Sequence, residues 1–170
     1  MIDGTTVGSM KAEQFDHLYQ TYQDDVLKVA FFYLRDRQKA EDITQDVFVK
    51  LYTTSPTLEK GKEKAWLLKV TLNKCRDLWR SAWVKKVVLG EKILAVKADD
   101  FSVAQTVEKQ DLLLAIHELP HKAKEVIILH YYQHLKMEEI ASLLNLPLGT
   151  VCSRLSRAKS KLAMILKGMA

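Results

Sequence analysis

Residues 137–162 read MEEIASLLNLPLGTVCSRLSRAKSKL. The apolar residues fall at helical steps on both sides of a short break. Ile140, Ala141 and Leu144 line the inner face of a short helix, and Ala141 is small where two helices must approach closely. Asn145 to Pro147 makes the turn, with Leu146 filling the core and Pro147 beside a helix start. Val151, Leu155, Ala158 and Leu162 step by four, three and four and form the buried stripe of a second helix. The opposite face carries Ser153, Ser156, Arg157 and Ser160, flanked by Arg154, Lys159 and Lys161. Small hydroxyls let a helix approach a major groove, and Arg pairs bidentately with guanine. The second helix starts near Thr150, where a phosphate can sit. The stretch therefore reads as a helix-turn-helix whose second helix, Leu148–Lys161, reads DNA. A plain amphipathic hairpin with a solvated basic face is the rival reading. The small Ala141, the Leu-Pro turn and the Gly-Thr-Val start together speak against it.

Charge agrees with this placement. The 170 residues carry a net charge of +5. Residues 112–170 hold eight Lys or Arg against four acids, whereas residues 1–83 hold thirteen against twelve. The basic bias sits in the C-terminal third, as expected of a nucleic-acid module there. Cys75 and Cys152 are far apart, so neither a disulfide framework nor a metal spacing follows. A reducing, cytoplasmic setting is the expectation. No apolar run reaches membrane-spanning length, and Met1 to Ser9 lacks the apolar stretch of a signal peptide.

Upstream, Phe15, Leu18, Tyr19, Tyr22, Val26, Val29, Ala30 and Tyr33 recur at steps of three and four, predicting a helix over 13–34. A second helix is predicted over 39–53, with Ala40, Ile43, Val47 and Leu51 inward, ended by Ser55-Pro56. A third covers 64–83. After a weakly periodic stretch, helices are predicted over 107–118, from Pro120 to about Gln133, over 136–144 and over 148–166. No strand pattern, repeat or low-complexity segment occurs. The expected fold is all-α, with two small helical domains joined by a flexible linker. Residues 1–10 form a flexible tail, 11–84 the first domain, 85–105 the linker and 106–170 the second domain.

The N-terminal half narrows the family. Ala40-Glu41-Asp42-Ile43-Thr44-Gln45-Asp46-Val47-Phe48 resembles the region 2.2 segment of the extracytoplasmic-function (ECF) RNA polymerase sigma factors. Trp66-Leu67 with Val70, Asn73, Asp77 and Arg80 is similar to that family's regions 2.3 and 2.4. Thr71 stands where the family has Ala, a change of little expected consequence. The C-terminal hairpin resembles regions 4.1 and 4.2. The resemblance spans about residues 12–83 and 106–166.

What the resemblance implies is an alternative sigma factor. The region 2.2 helix would dock on the clamp helices of the largest subunit of core RNA polymerase, through an outer face of Asp42, Gln45, Asp46 and Val49. Regions 2.3 and 2.4 would recognise and melt the minus-ten element of promoter DNA. Melting needs aromatic faces and cations that hold unpaired bases. Lys62, Lys64, Lys69, Asn73, Arg76, Trp79 and Arg80 are the candidates, with Trp66 expected in the core. The loop Ser55–Glu63 lies where the family captures a base. Region 4 would read the minus-thirty-five element through Thr150, Cys152, Ser153, Arg154, Ser156, Arg157, Lys159 and Lys161. Ser153, Ser156 and Arg157 face bases, and Arg154, Lys159 and Lys161 face phosphates. Family members often carry Lys or Arg at Cys152, which is read here as a small buried or half-buried residue. An anti-sigma partner, commonly membrane-linked in the family, is also implied. No cofactor, metal or small-molecule substrate is expected.

His117-Glu118-Leu119-Pro120-His121 matches the zinc-protease string literally, but that motif needs both His on one continuous helix and Pro120 forbids it. His130 and His134 stand four apart without a third ligand. The expectation is a non-enzyme. A stand-alone response-regulator type of DNA binder would leave residues 40–83 unexplained, and a helical adaptor would lack specific DNA affinity.

Overall fold

The computed structural model describes residues 10–89 and 107–169. Residues 1–9 of the expected tail, residues 90–105 of the expected linker and the side chain of Trp83 lie outside the described residues. Seven helices occur among the described residues: α1 (Ala12–Leu34), α2 (Arg37–Thr54), α3 (Glu63–Leu89), α4 (Val107–Glu118), α5 (His121–Ile127), α6 (Met137–Leu144) and α7 (Leu148–Met169). No strand occurs among them. Two helices run well past their expected ends: α3 continues to Leu89 instead of stopping near Trp83, and α7 continues to Met169 instead of stopping near Leu166. For α3, nothing from Glu63 to Leu89 is Gly or Pro, and the next breaker in the sequence after Gly61 is Gly90.

Of the described residues, 10–30 and 38–89 form one compact unit, and 31–37 with 107–169 form a second. In the first unit, Leu18, Val26, Val29 and Ala30 of α1 are buried, as are Ala40, Ile43, Val47, Phe48 and Leu51 of α2. The α3 helix buries Leu67, Leu68, Val70, Leu72 and Cys75. Thr71 is fully buried as well, and its hydroxyl donates to the Leu67 carbonyl at 2.6 Å. That bond lets a hydroxyl occupy a position suited to Ala. Phe15 and Tyr19 of α1 meet Phe48 edge-on, with ring centroids 6.2 and 5.0 Å apart, and tie α1 to α2.

In the second unit α7 packs on α4, α5 and α6. After Ile127, α5 passes into a π-helical turn, Ile128–Tyr132, closed by the Gln133 N–H donating to the Ile128 carbonyl at 3.1 Å. Single π turns of this kind terminate or bulge helices. Pro120 (φ −59°, ψ 153°) separates α4 from α5, so His117 and His121 do not share a continuous helix. The zinc-protease string has no geometric counterpart here. Among the described residues no three His, Cys, Asp or Glu side chains gather as a metal site.

His117 has an unusual environment. Its Nδ1 is buried and has no hydrogen-bond partner. Burial first, and then the positive charges of Lys124 and Arg35, together lower its pKa to about 4. An unfolded chain would take up this proton near 6.5. Between those values the unfolded state binds more protons, so stability falls as pH falls. From pH 7 to pH 5 the wild type should lose about 1 kcal/mol more than His117→Leu, after allowing for solvent screening of a half-buried ring. Urea unfolding of both proteins at the two pH values measures this. Equal losses would contradict it.

Candidate nucleic-acid interface

The helix-turn-helix is built by local rules. Glu139 Oε1 accepts the Lys136 N–H at 2.9 Å and starts α6. Asn145 ends α6 in the left-handed region, at φ 56° and ψ 51°, which Asn tolerates better than most residues. The Leu146 N–H then donates to the Ala141 carbonyl at 2.9 Å, and Val151 N–H to the Pro147 carbonyl at 3.2 Å, opening α7. Ile140 and Leu143 are the buried residues of α6, while Leu144, expected inward, is half-buried. On α7, Val151, Leu155 and Ala158 are buried and Leu162 is half-buried, close to the expected stripe.

Away from that stripe, Cys152, Ser153, Ser156, Arg157, Lys159, Ser160 and Lys161 are exposed, and Thr150 and Arg154 are half-buried. Ser153 Oγ donates to the Gly149 carbonyl at 2.9 Å, which fixes the hydroxyl and leaves its lone pairs outward. Ser153, Ser156 and Ser160 form the outermost line, with cations on both sides. On one side Lys159 Nζ lies 5.7 Å from the centre of the exposed Tyr131 ring. On the other, Arg154, Arg157 and Lys161 face Lys122 across a groove of about 500 Å³. Lys122 was not among the expected residues. It stands more than thirty positions before its partners, so periodicity within α7 gives no hint of it. Cys152, expected buried or half-buried, is exposed with its Sγ 3.4 Å from Met137 Sδ. Its step of one from Val151 turns it out of the core stripe.

The first unit presents two further surfaces. Along α3, Trp66, Lys69, Asn73, Arg76 and Arg80 follow at alternating steps of three and four, so they share one face, and the exposed Lys62 stands just before the helix, four residues ahead of Trp66. Arg76 Nη1 donates to Asn73 Oδ1 at 3.1 Å, and Arg80 pairs with Asp77 at 3.5 Å. Trp79 borders this face and is 40% exposed. Trp66, expected in the core, is only half-buried because its register places it on the basic face. Lys64 is half-buried and off that face. The preceding loop turns at Gly61 (φ 89°), whose N–H donates to Glu63 Oε1 at 2.6 Å. A left-handed φ is where Gly is needed. On α2, Asp42, Gln45, Asp46 and Val49 are all exposed, opposite the buried set. Tyr52, also exposed, extends this face one turn and was missed because an aromatic residue reads as core.

The comparisons with known proteins coincide with these surfaces. Residues 18–84 match Sigma-70 region 2, and residues 109–162 match Sigma-70, region 4. The RNA polymerase sigma factor SigV of Bacillus subtilis is 30% identical over 141 residues, covering 81% of this chain and 81% of SigV. The chain belongs to the sigma-70 family. Its relatives place it among the ECF sigma factors. The ECF RNA polymerase sigma factor SigE of Mycolicibacterium smegmatis is 28% identical over 94% of this chain, which spans 66% of that relative's length. The sigma factor RpoE of Bartonella quintana, solved in complex with the anti-sigma factor NepR, matches with a TM-score of 0.79 at 26% identity, over 92% of this chain and 98% of RpoE. In this sigma factor the region 2 match contains the α2 and α3 faces whole. The region 4 match contains the groove and α7 as far as Leu162.

Proposed function

We propose that the chain binds core RNA polymerase and directs promoter-specific transcription initiation. The exposed α2 face, Asp42, Gln45, Asp46, Val49 and Tyr52, docks on the clamp helices of the largest subunit. The α3 face with Lys62, Lys69, Asn73, Arg76, Trp79 and Arg80 binds and melts the minus-ten element. The α7 helix reads the minus-thirty-five element, with Ser153, Ser156 and Arg157 toward bases and Arg154, Lys159, Lys161 and Lys122 toward phosphates. Residues 11–84 and 106–170 act as the two working domains, with 85–105 between them. The observation that carries this reading is the pair of separate basic surfaces, each inside its own sigma-70 match. The chain acts by binding and positioning, as a non-enzymatic initiation factor working in the cytoplasm beside the polymerase. An anti-sigma protein, membrane-linked or free, is the expected antagonist, as NepR accompanies the Bartonella relative. None of the described helices is long and apolar enough to cross a membrane.

Permanganate footprinting tests the melting step, because unpaired thymines react and paired ones do not. With core polymerase and the chain together, minus-ten thymines should become reactive. Trp79→Ala should lower that reactivity about fivefold, which corresponds to about 1 kcal/mol, the low end for base–aromatic stacking, because the ring is only partly open. Unchanged reactivity would remove Trp79 from the melting surface.

A further inference from the structure

The groove beside α7 has features that duplex binding does not require. Its rims carry Lys122 from α5 and Arg154, Arg157 and Lys161 from α7, and none of its ten lining residues is acidic. Four cationic residues thus line a concavity of about 500 Å³. Sites for small ligands are commonly about 300–1,000 Å³. Such a space is too small for a duplex and large enough for a short chain of phosphates. Anhydride-linked phosphates stand closer together than those of a nucleic-acid strand, so one short chain can meet all four cations at once. Two of the four are guanidinium forks, which take phosphate oxygens in pairs. Thr150 and Ser153 add hydroxyls, and Pro120, Ala123, Gly149 and Ala158 complete the lining without adding charge.

We propose that this groove binds a short polyphosphate chain, free or carried by a nucleoside, and that the bound chain competes with promoter DNA for Arg154, Arg157 and Lys161. The binding follows from the groove alone, and only the competition rests on the promoter-reading role of α7. Promoter reading would then respond directly to the supply of a small polyanion.

Titration calorimetry on the full chain without DNA, at physiological ionic strength, tests the site. Inorganic tripolyphosphate should bind saturably with one site per chain. Lys122→Glu should weaken it about tenfold or more, since a cation on the rim is replaced by an acid. GTP binding as tightly as tripolyphosphate would identify the phosphate chain as the recognised group, while GTP binding more tightly would identify a nucleotide as its carrier. Guanosine should not bind. Absence of saturable binding, equal binding by Lys122→Glu, or equal binding of sulfate would each overturn the proposal. A second titration follows release of promoter DNA by tripolyphosphate against sodium chloride of matched ionic strength. Release no greater than with the salt would overturn the competition. Calorimetry reads the groove even if promoter DNA does not bind, so the two failures are distinguishable.

Discussion

Arg157→Ala should weaken binding of the minus-thirty-five element by about 1–3 kcal/mol, with a much smaller loss on scrambled DNA. The expectation rests on position and chemistry. Arg157 is exposed on α7, one step from Ser156 on the outermost line, while Ala158 beside it is fully packed. A guanidinium there can take both acceptors on a guanine edge, which carries sequence information that a phosphate contact does not. Lys161 provides the contrast. It lies one turn further on and carries an ammonium, a point charge without the guanidinium fork that pairs with a guanine edge, so Lys161→Ala should weaken all sequences alike and flatten the salt dependence. Fluorescence anisotropy on specific and scrambled duplexes over a range of salt separates the two behaviours. If Arg157→Ala lowers both duplexes equally, Arg157 is a phosphate contact. If neither changes, it lies off the DNA.

Asp46→Arg should lower affinity for core polymerase by about 2–4 kcal/mol, because like charge placed across an interface costs several kcal/mol. Asp46 is exposed at the middle of the α2 face, four residues from Asp42 and three from Val49. Val49 and Tyr52 are 58% and 47% exposed, an unusual openness for apolar side chains on a helix whose other face is fully packed. Acids around a small apolar centre suit a partner with basic and apolar groups. The substitution removes no packing, since Ala40, Ile43, Val47, Phe48 and Leu51 hold the helix from the opposite side. Binding of the minus-thirty-five duplex by the variant in the absence of polymerase should therefore stay within about 0.5 kcal/mol of wild type. Wild-type polymerase affinity would show that the docking face lies elsewhere.

Much of this architecture can be read from periodicity, and the exceptions have definite causes. The stripe Val151, Leu155, Ala158 and the outer face of α2 follow from spacing alone, because an amphipathic helix has one buried side. Phe48 and Leu143 are buried beside their stripes, since a packed face is wider than one line of residues. The π turn at Ile128–Tyr132 leaves no mark on hydrophobic spacing, because it shifts the hydrogen-bond ladder and not the composition. The groove was hidden for another reason: Lys122 meets Arg154, Arg157 and Lys161 only after α5 packs on α7. Trp66 and Cys152 were misjudged by residue type, as large aromatic and thiol side chains favour interiors, whereas helical register turns both toward the surface.

A sigma factor makes core polymerase choose promoters. Run-off transcription from a library of random upstream sequences, with purified core polymerase and the full chain, measures this directly. Transcripts should depend on the chain and start from templates sharing two separated motifs. Arg157→Ala should change preference only in the upstream motif, and substitutions on the α3 face only in the downstream one. Transcription no greater than that of core polymerase alone, with the chain folded and the polymerase active, would contradict it.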